Sequence, residues 1–351
     1  MANEVVAGGV GELRALSTAA GGTALTTTAK YIPIPRNTHH IFITPRNFAT
    51  AVVAKFSLNP YLTILKTTDR MGTVTDYSNY AQDGDAATDV TLSSLNTLAN
   101  GDWVLVGAHL PFRGVYVDMD DAHLNVNASI LTVTYRKSDL TWANATATDG
   151  TINPAGTSLG VDGLVYWAVP TDWMTARLTD IYTGAYLADG TGTFTGSPID
   201  LKPGRNTVTC TGAGNCTITL PTGATGVART GTMTVTSSPV LLVAGANTVT
   251  TSGVAGTLVV DISSPKVKYP AAMVPMFWTR WVFSAALDAD TLIDGMLCAN
   301  RSTAYGELIA GQTFEQRVFA GPGGCGCVEA LTDAGTANLI VNGASARDGG
   351  F

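Results

Sequence analysis

Short runs of apolar and β-branched residues, each broken by Pro, Asn or Gly, dominate the chain. Residues 24–32 form one such run, closed by Pro33 and Pro35, and 40–43, 51–56 and 62–65 follow. Strands this short, recurring at about ten-residue spacing, predict a β-sandwich or jelly roll. A polar stretch over 76–89 and one helical turn over 92–98 separate this block from a second. The second block holds 103–106, 114–118 and 130–135. In the last of these Ile130, Thr132 and Thr134 face one way and Leu131, Val133 and Tyr135 the other, the pattern of a half-buried strand. Further strands are expected over 163–169, ended by Pro170, then 277–283, 290–297 and 337–341.

An internal repeat lies between these blocks. Residues 197–209 align without a gap with 238–250, sharing S-P-[IV]-x-L-x-x-G-x-N-T-V-T, and Gly212 and Gly253 keep the register. Gly-x-Asn is a turn, and the Thr-Val-Thr after it restarts a strand. Two copies are too few for a solenoid, so they predict paired β-units of one small sandwich.

Composition sharpens this picture. Of 351 residues, 45% are hydrophobic and only 13% charged, which excludes disorder driven by charge and leaves material for more than one core. A chain rich in Thr and Val has good strand and weak helix propensity. The net charge of −7 argues against a broad nucleic-acid surface. No stretch has the length and apolarity of a membrane span or the build of a signal peptide, so neither nucleic acid nor membrane is expected as a partner. The five cysteines, Cys210, Cys216, Cys298, Cys325 and Cys327, are an odd set in a long chain and do not read as a disulfide framework.

Several stretches resemble virion structural proteins of tailed bacteriophages. They are Ile43-Thr44-Pro45-Arg46-Asn47-Phe48, Leu58-Asn59-Pro60, Asp83-Gly84-Asp85 with Leu92-Ser93-Ser94-Leu95, and Gly101-Asp102-Trp103-Val104-Leu105-Val106-Gly107. Val115-Tyr116-Val117, Asn125-Val126-Asn127-Ala128-Ser129 and Trp167-Ala168-Val169-Pro170-Thr171-Asp172-Trp173 continue the likeness. Phe277-Trp278-Thr279-Arg280 and Phe283-Ser284-Ala285-Ala286-Leu287 complete it over residues 24–297. In similar proteins the Val-Pro-x-Asp-Trp strand leads through a short loop into the Trp-x-Arg strand. Here the repeat-bearing segment stands between them, which implies a domain inserted into a loop. The expected organisation is all-β: a flexible arm at 1–23, an N-terminal sandwich at 24–100, and a middle jelly-roll-like sandwich at 101–178 plus 267–300. The inserted β domain occupies 179–266, and a C-terminal β segment and tail occupy 301–351.

Candidate chemistry is sparse. His39 and His40 are adjacent on a strand and point to opposite faces, so they cannot share a metal ion; His109 and His123 stand alone. Asp118-Met119-Asp120-Asp121 and Asp83-Gly84-Asp85 with Asp89 offer oxygen ligands, yet neither fits the twelve-residue calcium loop. Cys325-Gly326-Cys327 has no partner pair at zinc spacing. The glycine clusters Gly8-Gly9, Gly321 to Gly324 and Gly349-Gly350 lack a phosphate-loop pattern. Two carboxylates of a glycosidase are conceivable. Trp142, Trp167, Trp173, Trp278 and Trp281 suit either a sugar groove or a core, with core favoured for Trp167 and Trp278.

No catalytic, cofactor or metal residue is therefore assigned. The expected function is non-enzymatic: a structural component of a phage particle, foremost a capsid decoration or cement protein that stabilises the head. A tail-tip, baseplate or fibre protein contacting the host surface is the alternative, and a sugar-cleaving or sugar-binding tail protein the third reading. Partners are expected to be the major capsid protein or other virion proteins and further copies of the chain. The resemblance implies a homotrimer, assembled in the host cytoplasm and found in the virion.

Overall fold

A computed structural model describes residues 10–16, 22–46, 52–68, 73–92, 95, 102–138, 141–177, 183–189, 199–201, 208–211, 215–219, 231–234, 245–252, 257–263, 274–300, 306–309 and 312–346. The protein is all-β. Among the described residues every ladder is antiparallel and the only helical element is one 3-10 turn, Tyr80–Gln82.

Four sheets pair into two sandwiches. In the first, one sheet runs Val10–Ala15, Ala337–Ala346, Thr38–Arg46, Phe314–Arg317, with Thr23–Leu25 also on Ala337–Ala346. The facing sheet runs Gly306–Leu308, Ala54–Pro60, Cys325–Thr332, Lys30–Pro33. Between them lies a core of Leu25, Ile32, Ile34, Ile41, Ile43, Phe56, Val328, Leu339 and Val341. In the second, Thr148–Asp149, Gly163–Tyr166, Gly114–Met119, Leu292–Ala299 and Val90–Thr91 form one sheet. The other is Trp142–Asn144, Leu131–Arg136, Met276–Phe283, Trp103–Ala108, Thr63–Thr68 and Thr73–Asp76, with Thr175–Ala176 beside Met276–Phe283. Phe112, Val115, Val117, Trp167, Trp173, Trp281 and Met296 fill the space between. Each large apolar side chain buried this fully contributes about 1.5–3 kcal/mol.

These ladders draw the boundaries differently from the sequence. The N-terminal sandwich does not extend to residue 100: the chain leaves it at Tyr61, and Thr63–Thr68 already belongs to the second sandwich. Nor do the strands after residue 300 form a separate segment. Cys325–Thr332 pairs with both Ala54–Pro60 and Lys30–Pro33, and Ala337–Ala346 is central in the opposite sheet. Part of the N-terminal arm is a strand, since Val10–Ala15 lies along Ala337–Ala346 with Ala15 opposite Asn342. Residues 1–9 and 17–21 of the arm lie outside the described residues. Antiparallel pairing ignores distance along the chain, so a local reading cannot see that the first sandwich needs both ends of it.

Within the runs, several limits shift. Residues 24–32 are two strands, Thr23–Leu25 and Lys30–Pro33. Thr38–Arg46 continues through Pro45, because Phe314–Arg317 pairs no further than Ile43 and no donor is needed from residue 45 on that side. The alternation over 130–135 is as read, with Leu131, Val133 and Tyr135 buried and Ile130 and Thr132 exposed. Of the helical turn over 92–98, only Leu92 and Leu95 lie within the described residues, joined by a backbone hydrogen bond of 2.9 Å.

Strands within residues 183–263 pair only with one another among the described residues. Thr183–Asp189 and Thr257–Ser263 form a ladder from Thr183↔Ser263 to Asp189↔Thr257, so this segment leaves and returns side by side. The repeat copies interlock. Val208–Thr211 of the first pairs with Thr257–Ser263, which follows the second; Gly245–Ser252 of the second pairs with Asn215–Thr219, which follows the first.

Candidate interaction surface

The two sandwiches meet through a buried polar joint. Asn59, fully buried, donates through Nδ2 to the Glu329 carboxylate (2.8 Å) and to the Cys298 carbonyl (2.7 Å). The Asn300 amide donates to the same Glu329 oxygen at 2.9 Å. Glu329 has no solvent exposure, and these charge-assisted bonds are what make its burial tolerable. Cys327 Sγ lies 3.2 Å from the Cys298 carbonyl, and burial pushes both thiols well up, so they remain neutral. Tyr31 of the first sandwich stacks on Tyr116 of the second at 4.8 Å, and burial raises the Tyr116 phenol to about 12. Beside them Gln82 bonds the backbone of Leu62 in both directions. The joint thus covers one half of the outer face of the second sandwich's Leu292–Ala299 sheet.

The other half is acidic. Alternation along Gly114–Met119 and Leu292–Ala299 turns Asp118 and Asp294 outward while Val117, Met119 and Ile293 point into the core. Ile293 is opposite Val90 in the adjoining ladder, which brings Asp89 alongside Asp294. Burial pushes the Asp294 carboxyl up to about 6, helped by a carboxyl-to-carboxyl hydrogen bond with Asp89 and by the charges of Asp120 and Asp118. Asp118 is raised as well, first by burial and then by Asp162 and Asp121, against a lowering by Lys30. Asp120 accepts from the Ala122 amide (2.8 Å) and pairs with His123 Nδ1 (2.6 Å). The backbone bond first and then the His123 bond hold the Asp120 carboxyl down, and that same bond raises His123.

Three loops continue this acidic half-face around the end of the sandwich, and Asn125 ties them together. Its side chain is fully buried. Nδ2 donates to the Ser158 carbonyl (2.9 Å), and Oδ1 accepts from the amides of Asp288 (2.9 Å) and Asn127 (3.1 Å). The Asn125 amide bonds the Leu159 carbonyl, the Ser158 amide the Ser129 carbonyl, and the Ile130 amide Ser284 Oγ. Loop backbone held this way loses little further entropy on docking. On these loops stand three exposed aliphatic side chains, Val126 (70%), Ile130 (57%) and Ile152 (42%). Residues 118–130, 149–163 and 284–294 contain no Lys or Arg.

The residues picked out in the sequence divide sharply. Of the acidic runs, Asp118, Asp120, Asp121 and Asp89 come together at this surface. Asp83 and Asp85 instead close their own turn, accepting from the amides of Asp85 and Ala87. Among the described residues no group of three or more His, Cys, Asp or Glu is arranged to hold a metal ion. Trp167, Trp173, Trp278 and Trp281 are buried in cores and line no groove. Trp142 is half-buried on the outer sheet face, with Arg280 4.7 Å above its ring and that guanidinium also 4.9 Å from Trp103. His40 lies 4.0 Å from Glu315, and burial lowers the half-buried His109. Gly326 permits close passage at the joint, since a Cβ there would stand 2.8 Å from the Tyr61 Cα. Gly8, Gly9, Gly349 and Gly350 lie outside the described residues, as does any side-chain contact of Cys210 and Cys216.

Asn125 and Val126 stand in a stretch that resembles virion proteins and Ile130 begins an alternating strand, but nothing in the sequence marks them, or Ile152, as parts of one surface. The readable signal is the lack of any Lys or Arg from three separate stretches, and only the fold shows that the stretches adjoin.

Compared with known proteins, the chain matches no protein-family model, no curated protein sequence and no solved structure.

Proposed function

We propose that this chain is a non-enzymatic structural component of a tailed-bacteriophage particle, attached to the capsid as a decoration or cement protein. The observation that carries this reading is the pairing of a polar-locked, two-sandwich body with one immobilised, acidic and aliphatic surface. A stiff body with a preorganised patch suits permanent attachment: little loop entropy is lost on binding, and weak contacts multiply over many copies. Partners would be the major capsid protein or other virion proteins and further copies of the chain, as a homotrimer. The stretches that resemble virion proteins fall largely on the strands and loops of the second sandwich, which bears this surface.

Purified particles separated into heads and tails, with the chain quantified by mass spectrometry in each, test the proposal. Abundance on heads at a copy number that follows the capsid lattice is the expected result. Confinement to tails at low copy number overturns the decoration role.

The second reading, a tail-tip, baseplate or fibre protein, draws on a different observation. Thr183–Asp189 pairs with Thr257–Ser263, so the repeat-bearing segment departs and returns at one place, as a module carried on a host domain does. Antibodies against residues 183–263 that block adsorption would favour it.

A further inference from the structure

We propose that the three-loop end of the second sandwich is the attachment face of this chain, and that its partner is a protein surface with an apolar depression ringed by Lys and Arg. The inference rests on the virion reading above and names the surface and the partner chemistry within it.

Charge comes first. Although the chain carries 20 Lys and Arg in all, the three loop stretches have none, while Asp118, Asp120, Asp121, Asp162, Asp288 and Asp290 all stand on them. The chain's net charge of −7 is thus concentrated rather than spread. An acidic patch of this kind repels a second copy of itself and attracts a basic face, which sets orientation and speeds encounter more than it adds affinity.

Apolar exposure comes second. Val126 at 70% and Ile130 at 57% exposed stand four residues apart in one loop. Ile152 follows Thr151, whose Oγ1 accepts the Leu159 amide at 2.9 Å, and Leu159 in turn bonds Asn125. Aliphatic side chains displayed on hydrogen-bonded loops that also carry carboxylates supply the apolar and polar elements of an interface. A small ion would leave the three aliphatic groups unused. A sugar would call for flat aromatic faces, and the indoles of this sandwich are in its cores or stacked with arginine.

The test uses the full chain and particles assembled without it. Fluorescently labelled wild type is titrated onto these particles at low and high salt, alongside the double variant Val126→Asp, Ile130→Asp. Both side chains are exposed, so the variant is expected to melt at the wild-type temperature. The expected result is saturable wild-type binding that weakens with salt, and at least tenfold weaker binding by the variant. Wild-type binding left unchanged in the variant overturns the attachment face while leaving the virion role in place. Salt-insensitive wild-type binding overturns the basic partner. A wild type that does not bind particles at all overturns the virion reading and this inference with it.

Discussion

The Asn59 side chain spans two domains: one amide hydrogen goes to Glu329 within its own sandwich, at 2.8 Å, and the other to the Cys298 carbonyl of the next, at 2.7 Å. Because the carboxylate it serves is fully buried, the bond couples the integrity of one core to the docking of the other.

Asn59→Ala is therefore expected to cost about 2–3 kcal/mol, the loss typical of a hydrogen bond to a buried charged group. Glu329→Gln, which keeps an acceptor and sheds the charge, should cost less. Urea unfolding of both variants checks this, and equal stability of Asn59→Ala and wild type would refute it.

Asn125→Ala strips the acceptor from the Asp288 and Asn127 amides and the donor from the Ser158 carbonyl. Hydrogen exchange at Asp288 and Asn127 should speed up strongly while exchange in the first sandwich stays as it was. Asn125→Asp keeps the acceptor and should protect both amides better than alanine does. The global loss for Asn125→Ala is expected at about 2 kcal/mol.

Asp294 gives the fold a pH dependence. A carboxyl with a raised folded-state pKa holds its proton more tightly folded than unfolded, so protonation favours the native state. Its contribution is fully present below 3.8 and fades as pH rises through about 6. Stability should accordingly fall across that window, and Asp294→Asn should flatten the fall and leave the protein more stable at neutral pH. Chemical denaturation at several pH values measures this; an unaltered slope in the variant would sink the assignment.

At Gly107 a Cβ would lie 2.5 Å from the ring of Trp278, which has no solvent exposure and donates through Nε1 to the Ala176 carbonyl at 2.9 Å. Gly107→Ala must displace that indole, at an expected cost of about 1–3 kcal/mol. Thermal melting together with a shift in tryptophan emission checks it.

How much was legible beforehand follows from the range of each interaction. Alternation over 130–135 placed Leu131, Val133 and Tyr135 inward because a strand's two faces are set by its own residues. The aromatic run Phe277 to Phe283 read as a strand from its residue types alone, since aromatic and β-branched side chains favour strands. Local sequence gave no warning that Cys325–Thr332 would sit between Ala54–Pro60 and Lys30–Pro33, since antiparallel neighbours are chosen by which edges and apolar faces remain to be covered. Within the acidic stretch 83–89, Asp83 and Asp85 close their own turn, while Asp89 joins Asp294 across one ladder and Asp118 reaches the same face across another.

By itself, then, the sequence determined the strand-forming character of the chain, the facing of its residues and the repeat, all of which depend on neighbours a few positions away. Tertiary structure alone decided that Val10–Ala15 and Ala337–Ala346 join one sandwich, that Asn59 and Glu329 lock it to the second, and that three loops without Lys or Arg become one acidic surface. Those outcomes depend on burial and ladder partners brought together from distant parts of the chain, and no local pattern encodes them.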